Sequence, residues 1–233
     1  MIPHVDVEAG IVPELPAAAQ YWMPAKEEML GEGIGYFRGV WSLYDVTRED
    51  AAAVAASEQA AVAALDVLSP NAQQFDRLAR VLETHDPSTD ADDEAAVALL
   101  AEQVDLTSLH LGGLEVGVAG LSFALAAIGC IPAASCRGHM GDDAWSYNPI
   151  VFAAVDRPHA DWLLPRVRRA KCGFGIGAGR ENVLAIQAHS IVDLMALTAS
   201  ILRESDGLPA PPLRWGRSRS ADADHRLRAP GPR

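Results

Sequence analysis

Between residues 114 and 203 the apolar residues repeatedly change their spacing, and few folds accommodate that alternation. Leu114, Val118, Leu121, Leu125 and Ile128 recur at three- and four-residue steps, which predicts an amphipathic helix over 114 to 128 ended by Gly129. Ile131 to Ser135 then reads as a strand in spite of Pro132. Pro149 to Val155 carries the unbroken run Ile-Val-Phe-Ala-Ala-Val expected of a buried strand. Helical spacing returns over Arg157 to Ala170, strand spacing over Cys172 to Ile176 and Val183 to Ala188, and helical spacing over Ser190 to Arg203. The predicted order is αββαββα. Its two helix-strand units can share one small sheet with helices covering a face, so residues 111 to 204 are expected to form an α+β module.

The chain before residue 110 has a different texture. Thr47-Arg-Glu-Asp50 opens an alanine-rich run to Leu68, Ser69-Pro70 opens another to Glu83, and Asp92-Asp-Glu94 opens a third to Val104. Each places a capping residue or an acidic first turn before good helix formers, and Pro70 suits a first helical position. Residues 1 to 110 are therefore expected to be mainly helical, with a loop at His85 to Asp90. Residues 1 to 26 carry Pro3, Pro13, Pro16 and Pro24 and read as irregular chain laid over a surface. The aromatic residues Tyr21, Trp22, Tyr36, Phe37, Trp41 and Tyr44 are expected to anchor it by core packing.

The formal charge of -12 is unevenly distributed, because residues 203 to 233 hold seven Arg against four acids. An acidic body opposes a broad phosphate footprint, which needs many Lys and Arg, so nucleic acid is left open only through a local basic pocket or the tail. That tail, 205 to 233, is rich in Pro, Arg, Ser and Gly and is expected to be disordered. Three cysteines, Cys130, Cys136 and Cys172, do not form a disulfide framework. With no leader pattern in Met1 to Glu8, and no apolar stretch longer than about Leu121 to Ile128, a cytoplasmic protein off the membrane is expected.

Reactive side chains gather where the first strand ends, at Ser135, Cys136, Arg137, Gly138 and His139. Ligands favour loops at strand C-termini. Gly138 would permit a tight turn that converges backbone amides on an anion, Arg137 could grip a carboxylate or phosphate with its fork, and Ser135 could add a hydroxyl. Asp142, Asp143, Trp145 and Tyr147 follow and could line a pocket for a planar ligand. Cys136 would become a nucleophile only if Arg137 or His139 lowered its thiol pKa, and a buried structural thiol is the plainer reading. The Cys136-x-x-His139 spacing offers half a zinc site. Cys130, Cys172, His110 and His159 are the conceivable completions, but none makes a second close ligand pair, so no metal is expected. Gly173-Phe-Gly-Ile-Gly-Ala-Gly-Arg180 meets a relaxed dinucleotide pattern without the helix that should follow. A hairpin turning near Ala178 to Glu181 fits better, its glycines allowing close approach of a ligand or another backbone. Ser190 should cap the last helix, with His189 in a surface or capping role.

Four segments carry a family resemblance: Ala134-Ser-Cys-Arg-Gly-His139, Pro149 to Val155, Lys171-Cys-Gly-Phe174, and Val183 to Ser190. In this order they resemble the tRNA wybutosine-synthesis methyltransferase family, whose proteins carry a strand ending in Ser-Ser-Cys-Ser-Gly-Arg. The resemblance spans about 85 residues, from Leu114 to about Thr198, and implies a related fold and S-adenosylmethionine as cofactor. Here Ala134 and Arg137 stand where that motif has serines, and His139 where it has arginine, which removes hydroxyls and redistributes charge. Two functional classes follow. One is an enzyme or former enzyme using residues 135 to 139 on a small anionic or adenine-containing ligand; the other is a noncatalytic regulatory or protein-interaction module with a protein partner.

Overall fold

The computed structural model describes residues 1–5, 11–24, 46–84, 91–103, 111–139, 146–177, 183–205 and 208. The chain is an α+β protein with a helical N-terminal half. Helices α1 (Arg48–Leu68), α2 (Ala72–Thr84) and α3 (Ala91–Gln103) precede α4 (Ala119–Ala127). Strands β1 (Ile131–Cys136) and β2 (Ile150–Ala154), helix α5 (Arg157–Arg169), strands β3 (Gly173–Ile176) and β4 (Leu184–Gln187), and helix α6 (Ile191–Glu204) follow. The order from α4 onward is the αββαββα that the apolar spacing predicts. The loop expected at 85 to 90, residues Tyr36, Phe37, Trp41 and Tyr44, the turn at 178 to 181 and the tail beyond 208 lie outside the described residues.

Local chemistry sets the helix boundaries. Thr47 and Asp50 form a reciprocal capping box at the start of α1. Asp156 accepts from the His159 amide at 2.9 Å to start α5, and Ser190 accepts from Val192 at the start of α6. The Ser190 hydroxyl also donates to the Pro3 carbonyl, and His189 Nδ1 donates to the Val5 carbonyl at 2.8 Å, so this corner pins the N-terminal segment. One helix starts later than its spacing suggests. Turns at 112 to 113 and 116 to 118 take the place of its first part, and α4 begins at Ala119. Gly112, Gly113 and Gly117 all adopt positive φ there, which a continuous helix would forbid.

The sheet is antiparallel throughout, ordered β1-β2-β4-β3, with Ser135 opposite Val151, Phe152 opposite Ala185 and Phe174 opposite Ile186. Pro132 is tolerated because β1 is an edge strand, where the register shifts between Pro132 and Ala134. Alternation along β2 sends Val151, Ala153 and Val155 to one face, against Leu121, Leu163, Leu197 and Ile201 of the covering helices. Ile150, Phe152 and Ala154 face the other way and pack with Cys136, Ala185, Trp22 and Met23. Both faces are therefore buried, as the unbroken apolar run implied. At the β3 edge, the Phe174 amide donates to the Val12 carbonyl at 2.7 Å. A Cβ on Gly173 would fall 2.3 Å from Ile11, so this glycine accommodates another backbone.

A second apolar core joins the N-terminal helices to the module: Val54, Leu65, Phe75, Leu78 and Leu100 pack with Val116, Ala119 and Ile191. Helix α1 is, by length and composition, apolar enough to cross a bilayer. Its stripe of Ala51, Val54, Ala61 and Leu65 is buried within the protein, as a core helix requires.

Candidate functional site

The segment leaving β1 turns sharply at Gly138, whose φ is +82°. A Cβ there would lie 2.5 Å from the Tyr147 carbonyl oxygen and 2.9 Å from the Asn148 carbonyl carbon, so only glycine fits. The turn is fastened by the His139 amide donating to the Ser146 carbonyl at 3.1 Å. Gly138→Ala is expected to cost about 1–3 kcal/mol of stability through backbone strain alone, with further loss from the clash. A fall in the urea unfolding midpoint checks this, and an unchanged midpoint would show that the loop relaxes freely.

This turn presents Arg137 and His139 to α2 and to the loop before α4. Arg137 is 2% exposed. Its Nε and Nη2 donate to the two oxygens of Glu83 at 2.9 and 3.2 Å, and its Nη1 donates to Asp76 Oδ1 at 2.6 Å. Asp76 and Glu83 lie seven residues apart on α2, two turns along one face, which lets one guanidinium reach both. The Arg137 amide donates to Glu115 Oε2 at 2.6 Å, and the Val116 amide donates to Glu83 Oε1 at 2.9 Å. The bidentate grip expected of Arg137 on an external carboxylate or phosphate is thus made with Glu83 of the same chain.

His139 lies between two carboxylates, with Nδ1 3.2 Å from Asp76 Oδ1 and Nε2 3.0 Å from Glu115 Oε1. Behind it, the Gly138 amide donates to Cys136 Sγ at 3.3 Å. One ligand atom from each of Glu115, Cys136 and His139 falls within 4.8 Å of the other two. Burial pushes the Asp76 carboxyl up, but the Arg137 guanidinium and His139 outweigh it and hold it below the usual carboxylate range. Burial raises Glu83 above that range against the pull of the same guanidinium. Arg137 itself is pulled down by burial and, more strongly, held up by Glu83 and Asp76. Burial pushes the Cys136 thiol up to about 11, which leaves it protonated at neutral pH in the absence of a ligand.

The sequence-predicted residues divide accordingly. Cys136, Arg137, Gly138 and His139 belong to one cluster. Ser135 sits within β1, and strand alternation turns it to the face opposite Cys136. Tyr147 is exposed beside the turn, while Asp142, Asp143 and Trp145 lie outside the described residues. Of the conceivable zinc completions, Cys130 and Cys172 are buried in the core on the other side of the sheet, and the His159 ring bonds Asp156 at 2.6 Å; His110 lies outside the described residues. Asp76, Glu83 and Glu115 were not legible as site residues, because charges on predicted helices read as solvated faces.

One hollow adjoins this cluster, and a second shares none of its residues. A cavity of about 10 Å³ beneath Arg137 and Gly138, also lined by Phe75, His189 and Ile191, has room for no more than about one water. A larger groove of about 580 Å³ runs between α1 and α6 with alanines such as Ala52, Ala55, Ala196 and Ala199 on its walls. Glu58 lines it and is 1% exposed; Oε1 accepts from the Gly117 and Gly120 amides at 2.8 and 3.2 Å. These are orphan donors at the start of α4, where the N-cap residue Val118 has no capping side chain. Against known proteins, the chain matches no family model, no curated sequence and no solved structure.

Proposed function

We propose that the chain is a noncatalytic binding protein whose ligand is a cation, seated where β1 ends, on the Glu115 and His139 side of the cluster. The supporting observation is that three carboxylates converge here, Asp76 and Glu83 on the Arg137 guanidinium and Glu115 on the Arg137 backbone amide, against that guanidinium and a second one, Arg80, on Asp76. The side chains still reaching outward are Glu115, 30% exposed, and His139, 17% exposed. An anion arriving there meets carboxylate oxygens, whereas a cation meets their lone pairs. A thiol held protonated by burial suits a binding role better than a nucleophilic one.

The reading keeps residues 136 to 139 as the site and changes the ligand from anionic to cationic. The resemblance to wybutosine-synthesis methyltransferases adds S-adenosylmethionine, whose sulfonium and ammonium groups are themselves cations, to the ligands worth testing. A thermal-shift series would compare divalent metal chlorides, diamines, phosphate, ATP and S-adenosylmethionine on the wild type and on Glu115→Gln. A ligand that binds only the native state raises the midpoint. The expected result is stabilisation by cations that is lost in Glu115→Gln, with none from phosphate or ATP. Stabilisation by phosphate or ATP, or a cation effect indifferent to Glu115, would sink the proposal. A shift from S-adenosylmethionine alone would favour the methyltransferase-like alternative.

A further inference from the structure

We infer that the cation is a divalent transition metal ion of the zinc class, held by Glu115 Oε1, Cys136 Sγ and His139 Nε2. This inference rests on the cation reading and names the chemistry of its ligand. The three donor atoms lie within 4.8 Å of one another. Metal bonds of ~2.0–2.3 Å in a tetrahedral site require donor separations of roughly 3.3–3.8 Å, so a contraction of about an ångström completes the set. Thiol, imidazole and carboxylate together suit zinc and its neighbours, whereas magnesium and calcium take oxygen donors.

A mixed set of three side chains gains weight from what stands behind each of them. His139 Nδ1 faces Asp76 Oδ1 at 3.2 Å, the carboxylate-histidine arrangement that fixes the ring and directs Nε2 to a metal. Cys136 Sγ accepts the Gly138 amide at 3.3 Å, a contact that supports a thiolate. Glu115 Oε2 accepts the Arg137 amide at 2.6 Å, which leaves Oε1 turned toward His139 Nε2 at 3.0 Å. Every candidate ligand therefore has an orienting partner.

The His139 ring marks where the ion would sit. Ionised carboxylates only accept hydrogen bonds, and a neutral imidazole carries one N–H, so it can satisfy Asp76 or Glu115 but not both. With its proton on Nε2 the ring donates to Glu115 Oε1 at 3.0 Å while Nδ1 faces Arg137 Nη2 at 3.5 Å, and a metal ion would take the place of that proton between Nε2 and Oε1. A metal also answers the local excess of carboxylates, three against the guanidiniums of Arg137 and Arg80. On binding, the Cys136 sulfur bonds the ion and its proton passes to water, because a coordinating thiol is deprotonated. Three protein ligands leave a fourth position for water or for a donor atom of another molecule.

Cobalt(II) titration of the metal-free full chain tests the assignment. The expected result is one equivalent bound, with a thiolate-to-cobalt charge-transfer band and the strong visible bands of a four-coordinate ion, both removed by adding zinc. Cys136→Ser should abolish the charge-transfer band, and Cys130→Ala should leave it intact. Glu115→Gln, which keeps an acceptor for the Arg137 amide, should weaken cobalt binding at least tenfold. A band that survives Cys136→Ser, or affinity unchanged in Glu115→Gln, overturns the site. If cobalt gives no charge-transfer band while diamines or magnesium still stabilise the protein through Glu115, the metal inference is lost and the cation reading stands. If no cation stabilises it, both fall.

Discussion

Replacing Arg137 with methionine is expected to lower the stability of the protein by about 3–5 kcal/mol, the cost of leaving buried carboxylates without their partner. Arg137 is almost wholly enclosed, and Asp76 and Glu83 lie 2.6 and 2.9 Å from its nitrogens. Methionine matches much of the volume but none of the hydrogen bonds, so Glu83 loses its compensating charge in a poorly hydrated site and Asp76 keeps only the more exposed Arg80. The tie also has a mechanical consequence. Arg137 leaves the edge strand β1, Asp76 and Glu83 belong to α2, and Val116 donates to Glu83 from the loop before α4. Three parts of the chain therefore meet at one guanidinium. Arg137→Lys should recover only part of the loss, because an ammonium cannot present the planar fork that reaches Glu83 twice and Asp76 once. Adding Glu83→Gln to Arg137→Met should restore part of the stability, since a neutral amide is cheaper to bury than an unpaired carboxylate. Urea unfolding of the three variants measures all of this, and a loss below about 1 kcal/mol in Arg137→Met would mean that the pairing behaves like a surface ion pair.

The physical reason such a cluster escapes a sequence reading is its span. Arg137 and its neighbours were legible because Gly138 and the end of an apolar strand mark a turn. Glu83, however, is 54 residues away from Arg137, and Asp76 is 61. On α2 both acids lie beside the apolar face formed by Phe75, Leu78, Ala79 and Leu82, at seven-residue spacing, and that flanking position was the available signal. Element order was legible because it depends on local period, whereas the start of α4 was not. Apolar spacing from Leu114 suggested helix, but Gly112, Gly113 and Gly117 adopt positive φ, and at Gly112 and Gly117 a Cβ would meet Phe123 and Ile191 from elsewhere in the fold. Glu58 follows the same logic more plainly. Ala51, Val54, Ala61 and Leu65 make a buried stripe at steps of three and four, and Glu58 occupies the missing position in it. A carboxylate at a core position of a helical stripe signals a specific polar partner, here the first amides of α4.

That placement makes the contribution of Glu58 to stability depend on pH. Burial, opposed by the amides of Gly120, Gly117 and Ala119, raises the Glu58 carboxyl from 4.5 to about 7. Because the folded form holds this proton more tightly than the unfolded chain, the stability it contributes is fully present below about pH 4.5. It is lost as pH rises through about 7. A difference of this size corresponds to about 3 kcal/mol. Glu58→Gln keeps an acceptor for the α4 amides and removes the titration, so wild type and variant should diverge with pH. Relative to the wild type, the glutamine variant should gain about 3 kcal/mol between pH 4.5 and pH 8. Other titrating groups, Asp76 and Glu83 among them, are common to both proteins and cancel in the comparison. Urea midpoints across that range measure the divergence, and parallel curves would show that Glu58 titrates as an ordinary carboxylate. Glu58→Ala provides the complementary case. It removes the acceptor, orphans the Gly117 and Gly120 amides, and should be destabilised at every pH, by about 1–3 kcal/mol for the unpaired donors.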